Sequence, residues 1–101
     1  MLINWLEPWG SVQNPEVFEK ELYREVGQQH ILYGKKVIAI GARCDCDDCL
    51  FEVLDSDFCF AVVHLTYSKE KNPNWPHTEI YKYIDTWIKE RMMADHEEFN
   101  Y

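Results

Sequence analysis

FCFAVVHLTY, residues 58–67, is the stretch that decides the fold. It is the longest apolar run in the chain and is rich in aromatic and β-branched residues, so it reads as a central β-strand. Side chains alternate across a strand. Phe60, Val62, His64 and Thr66 therefore share one face, and Ala61, Val63, Leu65 and Tyr67 share the other. The purely apolar set Ala61, Val63 and Leu65 is expected to meet the helices. His64 and Thr66 are then expected on an open face, beside Glu52 where the register matches.

Two more strand-like runs precede it. Residues 36–43, KVIAIGAR, carry Val37, Ile38 and Ile40, and residues 50–54, LFEVL, come next. The short turn Asp55-Ser56-Asp57 predicts an antiparallel hairpin with the central run. Residues 44–49 form a second short connection, so a meander of three strands is the economical topology.

Helical patterns flank this meander. Over residues 14–27, Asn14 suits the N-cap, Pro15 the first helical position and Gly27 the stop, and Phe18, Leu22 and Val26 recur at i, i+4, i+8. A second helix is predicted from Thr78, with Ile80, Ile84, Trp87, Ile88 and Met92 as its apolar stripe. The order α-β-β-β-α predicts an α+β fold, a two-layer sandwich with both helices on one face of the sheet. Residues 1–13 read as an irregular lid in which Trp5 and Leu6 dock on the core and Pro8 argues against a central strand. Residues 68–77 read as a polar loop with two prolines, and residues 95–101 as a frayed acidic tail.

A chain of 101 residues is expected to form a single domain over 1–101. With 47% hydrophobic and 15% aromatic residues, disorder is excluded. No apolar run approaches the ~20 residues of a membrane span. The opening MLINWLEPWGS has no basic flank, so no secretory signal is read and a cytoplasmic protein is expected. Eighteen acidic against ten basic residues give a net charge of −8, which repels phosphate backbones and argues against nucleic acid as a partner.

The densest chemical cluster is Arg43-Cys44-Asp45-Cys46-Asp47-Asp48-Cys49. Structural zinc sites want two cysteine knuckles, and only Cys46–Cys49 has that spacing, with Cys59 or His64 left as the fourth ligand. An acidic turn whose cysteines act as small hydrophobes is the favoured reading, and no metal or cofactor is expected. Cys59 and His64 lie five residues apart on one strand, hence on opposite faces, and cannot form a dyad. Asp47, Asp48, Glu52 and Glu25 offer carboxylates that with His64 or His30 could perturb one another, although a solvated acidic rim explains them more simply. Phosphate-binding glycine motifs and the G-x-S-x-G elbow are absent. Trp75, between Pro73 and Pro76, is either a rigid anchor for a partner or a cover for the end of the core.

The chain, most clearly over 18–95, resembles a family of small uncharacterised bacterial proteins. The resemblance rests on Glu21-Leu22, Arg24-Glu25-Val26, His30, Tyr33-Gly34, Ala39-Ile40, Arg43, Asp47-Asp48 and Leu50-Phe51. Its most specific stretch is Ala61-Val62-Val63-His64-Leu65-Thr66, followed by Trp75-Pro76, Thr78, Tyr81, Trp87, Met92 and Asp95. That family often has Trp where Tyr67 stands and Val where Cys49 stands, and its members usually lack the cysteine trio. The resemblance carries no activity and no catalytic residue with it.

Size and charge favour a protein-binding role over an enzyme. The expected partner is basic, as for an immunity protein that docks on a toxin or enzyme site. Asp45, Asp47, Asp48, Asp55 and Asp57 would steer it and Tyr67 or Trp75 would supply buried contact. The alternative is a small enzyme or ligand-binding domain using Arg43, Asp47, Asp48, Glu52, His64 and Thr66 on the open sheet face. The pattern also leaves open a homodimer through an exposed edge strand.

Overall fold

A computed structural model describes residues 2–68 and 74–99. Five antiparallel strands form one meander in the order β1 (Trp9–Ser11), β2 (Lys36–Arg43), β3 (Asp48–Leu54), β4 (Phe60–His64) and β5 (Thr78–Tyr81). Helix α1 (Pro15–Glu25) lies between β1 and β2. The chain ends in a helical segment made of α2 (Ile84–Trp87), a π-helical turn (Ile88–Met92) and α3 (Met93–Phe99). The α+β class and the antiparallel sheet agree with the sequence reading. The three-stranded meander does not, because β1 and β5 add an edge at each side.

The expected helix start at Thr78 is corrected. Residues 78–81 pair with β4 in the register Phe60↔Tyr81 to Val63↔Thr78, and the helix begins at Ile84. Thr, Ile and Tyr are strand formers, and a free edge of β4 beside them outweighs the helical spacing. At the other side, Trp9–Ser11 pairs with Gly41–Arg43 of β2, so part of the expected lid is a strand, with Pro8 just outside it.

Helix placement is the larger correction. Leu22 and Val26 pack with Val37, Ala39, Cys49, Phe51, Val53, Ala61, Val63 and Leu65, which puts α1 on one face. Trp87 and Met92 pack with Trp9, Leu50, Phe60 and Val62, which puts the C-terminal segment on the opposite face. The sheet is therefore the middle of three layers. Fully burying one such aliphatic or aromatic side chain stabilises by about 1.5–3 kcal/mol, so each layer is secured by its own cluster. Ala61, Val63 and Leu65 do meet a helix, as expected, but Phe60 and Val62 meet one too.

Local signals set the details. Pro15 occupies the first turn of α1 and Glu16 lies in it, while Asn14 takes the N-cap position without a side-chain cap bond. The helix stops at Glu25, before Gly27, because Val26 turns extended and buries itself beside Leu22. Glu19 Oε2 accepts from the Ala39 N–H at 2.9 Å and Tyr23 Oη from the Val37 N–H at 3.2 Å. These two side chains occupy the edge of β2 that β1 is too short to cover, which blunts it against pairing with another chain.

A bulge at Ile40, between the pairs Ala39↔Phe51 and Gly41↔Leu50, shifts the alternation of β2. Gly41 consequently faces the C-terminal layer, where the ring of Trp5 lies on it. A Cβ there would sit 2.3 and 2.6 Å from two Trp5 ring atoms. Trp5 and Trp9 each meet Trp87 in a T-shaped contact, with ring centroids 6.2 and 5.0 Å away. Trp5 and Leu6 thus dock on the core, as the sequence suggested. Gly41→Ala is expected to displace Trp5 and lower stability by about 1–3 kcal/mol. Chemical denaturation of Gly41→Ala and of Trp5→Ala/Gly41→Ala checks this. The alanine at 41 should cost far less in the double variant, and an equal cost in both backgrounds would refute the contact.

Candidate functional site

The end of the sheet where β2 and β4 finish and β3 and β5 begin gathers a network of ion-paired side chains. Asp48 opens β3 directly opposite His64, the last residue of β4. Both face the C-terminal layer, as Leu50 and Val62 do. His64 Nδ1 lies 2.6 Å from Asp48 Oδ1, with the imidazole half-exposed. A carboxylate oxygen only accepts, so Nδ1 carries the hydrogen and donates it. The other oxygen, Asp48 Oδ2, accepts from Arg91 in the π-helical turn.

Arg91 is the hub of the cluster. Its Nε donates to Asp95 Oδ2 at 2.8 Å and one terminal nitrogen donates to Glu79 Oε1 of β5 at 2.7 Å. Tyr81 Oη donates to the same Glu79 oxygen at 3.1 Å. Burial works against the Arg91 charge, but Asp95, Glu79 and Asp48 overcome it and raise its pKa above the ordinary guanidinium value. Burial, and then Glu79, push the Tyr81 phenol up to about 12. Asp95 also accepts from Trp9 Nε1 at 2.8 Å and lies 3.2 Å from Arg43. Arg43 holds Asp45 in a two-point pair at 2.8 and 2.7 Å. That pair raises the Arg43 pKa and lowers the pKa of Asp45. The expected frayed tail is corrected here: 93–99 is helical and Asp95 is tied into the sheet, while residues 100–101 lie outside the described residues.

Asp48, Val62, His64, Trp75, His77, Glu79 and Arg91 line a cleft of about 300 Å³. Trp75 is held at its mouth through the next residue in the chain. Pro76 is fully buried, and its carbonyl accepts from His30 Nε2 at 2.9 Å and Thr78 Oγ1 at 3.0 Å. Buried His30 also accepts the Leu32 N–H on Nδ1 at 3.0 Å, so its role is to fix the loop after α1 to the start of β5. Pro73 lies outside the described residues. Trp75 remains 42% exposed, so it does not close the core end.

Glu25 performs the matching task on the α1 side. Its buried carboxylate accepts the Thr66 N–H and Thr66 Oγ1–H on Oε1 and the Tyr67 N–H on Oε2, each at 2.8 Å. Tyr67, held at φ 55°, projects into solvent at 50% exposure. Burial and then Asp47 and Glu21 raise the Tyr67 pKa, which marks the acidic surroundings of its hydroxyl.

The structure sorts the expected site residues. Asp45, Asp47, Tyr67 and Trp75 share this end of the molecule and are exposed. Asp48 is there but buried in its pairs with His64 and Arg91, so it is a structural member and not a free steering charge. Asp55 and Asp57 come after β3 at its far end, roughly 20 Å away at ~3.3 Å per residue. Of the alternative set, Arg43, Asp48 and His64 belong to the one network. Glu52 pairs opposite Phe60, roughly 13 Å along the strand from Asp48, and Thr66 turns to Glu25 of α1, so neither joins His64. The open sheet face is corrected to a cleft at the sheet end.

Cysteine placement separates the four thiols. Cys49 is buried on the α1 side, Cys59 packs against the opposite cluster, and Cys44 and Cys46 are exposed in the 44–47 loop. Burial raises the thiol pKa of Cys49 and of Cys46. Among the described residues no group of three His, Cys, Asp or Glu side chains has metal-binding geometry, and no helix is long and apolar enough to cross a membrane. Glu79, Arg91, His77 and Trp9 were not singled out as site residues in the sequence, and Asp95 was named only among the residues that carry the resemblance. Arg91 and Asp95 do have the i, i+4 spacing of a helical ion pair, the one signal that could have found them.

Comparison with known proteins returns no matching family model, no similar curated protein and no similar solved structure. The reading of the site therefore rests on its own geometry.

Burial first, and the neighbouring Glu21 second, raise the Glu25 pKa above the ordinary carboxylate value, against the opposing donors of Thr66 and Tyr67. A carboxyl raised in the folded state adds stability that is fully present below the unfolded value and lost as pH climbs through the folded one. The stability of the native protein relative to Glu25→Gln is expected to shrink as pH rises from 4 to 7. Urea midpoints of both proteins across that range measure it, and a difference that widens with pH would overturn the assignment.

Proposed function

We propose that the chain is a protein-binding domain that docks a basic partner on the end of the sheet carrying Asp45, Asp47, Tyr67 and Trp75. The observation that carries this reading is a pair of exposed aromatic residues whose backbone is anchored by buried polar groups, at Tyr67 itself and at Pro76 next to Trp75. Glu25 sets the backbone at Tyr67, and His30 with Thr78 sets Pro76 below Trp75. Aromatic side chains that are rigid before binding contribute contact area at little entropic cost, and such residues dominate interface energetics. The exposed Asp47 carboxylate beside them and the net charge of −8 favour a cationic surface and speed its approach. Immunity-type inhibition of a basic enzyme or toxin is one role of this kind.

A second reading, a small-molecule or acid–base site, is favoured by one contact. Asp48 fixes the His64 tautomer so that Nε2 is left as an acceptor beside the cleft.

A photo-crosslinking residue in place of Tyr67 is expected to trap one basic protein from the native cell extract in stoichiometric amount. The same residue in place of Asp55, at the far end, is expected to trap none of it. Asp47→Lys should reduce the yield at least tenfold through lost charge complementarity. Equal trapping from both positions, or a yield unchanged by Asp47→Lys, would contradict the docking surface.

A further inference from the structure

We propose that the cleft between β3, β4, β5 and the π-helical turn receives the cationic end of one lysine or arginine side chain. The identity of that side chain as part of a protein partner rests on the docking reading above, whereas the cleft's preference for a cation does not. Three separate features of the lining agree on the charge of the occupant.

Formal charge is the first feature. Asp48 and Glu79 contribute two negative charges and Arg91 one positive, so with neutral histidines the lining carries −1. Arg91 does not repel a cation at close range, because its Nε and both terminal nitrogens are turned to Asp95, Glu79 and Asp48. An anion entering the same space would face two carboxylates and no uncommitted guanidinium edge.

Hydrogen-bond polarity is the second. Asp48 Oδ1 accepts the Nδ1 hydrogen of His64, so Nε2 is an acceptor whenever the ring is neutral. Glu79 Oε1 is occupied by Arg91 and Tyr81, while among the described residues Oε2 has only His77 Nε2 near it, at 3.8 Å, beyond hydrogen-bond reach. Among the described residues, Glu79 Oε2 and the neutral-ring Nε2 of His64 are thus acceptors with no donor within hydrogen-bond distance, and an ammonium or guanidinium supplies donors alone. A neutral apolar occupant would strip water from both acceptors and replace nothing.

Trp75 is the third. Its indole forms part of the wall at 42% exposure, and an indole face is the aromatic surface that attracts cations most strongly. At about 300 Å³ the cleft is at the small end of ligand sites, a size that suits one side chain better than a cofactor.

The test is an NMR titration of the full chain with N-acetyl-lysine amide and N-acetyl-arginine amide, read on the Trp75 indole and His64 ring resonances. Saturable shifts below about 10 mM are expected for at least one of the two, and the pair shows which cation is preferred. N-acetyl-norleucine amide, with the same length and no charge, should leave both resonances in place at 50 mM. Glu79→Gln and, independently, Trp75→Leu should each weaken binding at least fivefold, while Asp57→Asn at the far end should not change it. Absence of shifts at 50 mM for both cations, equal shifts with norleucine amide, or displacement of the cation series by acetate at matched ionic strength would overturn the proposal. Cation binding without trapping of a partner at Tyr67 would remove the docking reading and leave the cleft assignment standing. Trapping without cation binding would do the reverse.

Discussion

One guanidinium holds the C-terminal layer to the sheet. Arg91 donates to Asp48 of β3, Glu79 of β5 and Asp95 of α3, and Asp95 continues the link to Trp9 of β1 and Arg43 of β2. Four strands and the last helix therefore meet in a single charge network. Taking these charges out of water costs several kcal/mol, and the geometry of their contacts repays it only when every member is in place. Apolar burial of Trp87 and Met92 supplies the attraction between the layers. That attraction is non-directional, and the network gives it one register. Within the π-helical turn Met92 is buried in the core while Arg91 next to it reaches the strand ends.

The same network builds the cleft. Asp48 is shared between Arg91 and His64, so the residue that anchors the helix also sets the imidazole tautomer. Glu79 is shared between Arg91 and the open side of the site. Trp75 and Tyr67 are held by separate clamps, at His30 and Glu25, which sit among the buried residues on the α1 side.

Helix α1 and the three long strands were legible because their signals are local: a proline-led helix with an apolar residue at every fourth position, and runs of β-branched residues. Strands β1 and β5 were not, because three or four residues carry too little pattern, and Thr78–Tyr81 reads equally as the first turn of the following helix. The side on which the last helix packs was written in β4 and misread. Phe60, Ala61, Val62 and Val63 are apolar on both faces of one strand, the mark of a sheet covered on both sides. An amphipathic stripe says that a helix is buried, and it does not say against which face. Asp48 and His64 were recognisable as candidates, but Arg91, Glu79 and Asp95 join them only through tertiary packing. Asp55 and Asp57 look like neighbours of Asp45 and Asp47 in the chain. The full length of β3 separates them.

The coupling between Asp48 and Arg91 is the link on which the whole architecture turns. A double-mutant cycle with Asp48→Asn and Arg91→Met, followed by urea unfolding at neutral pH, measures it directly. A coupling energy of about 2 kcal/mol is predicted, since each single variant strands a partly buried partner that the double variant does not. A coupling below about 0.5 kcal/mol, the size of an exposed surface pair, would contradict the claim that this link holds the layer in register.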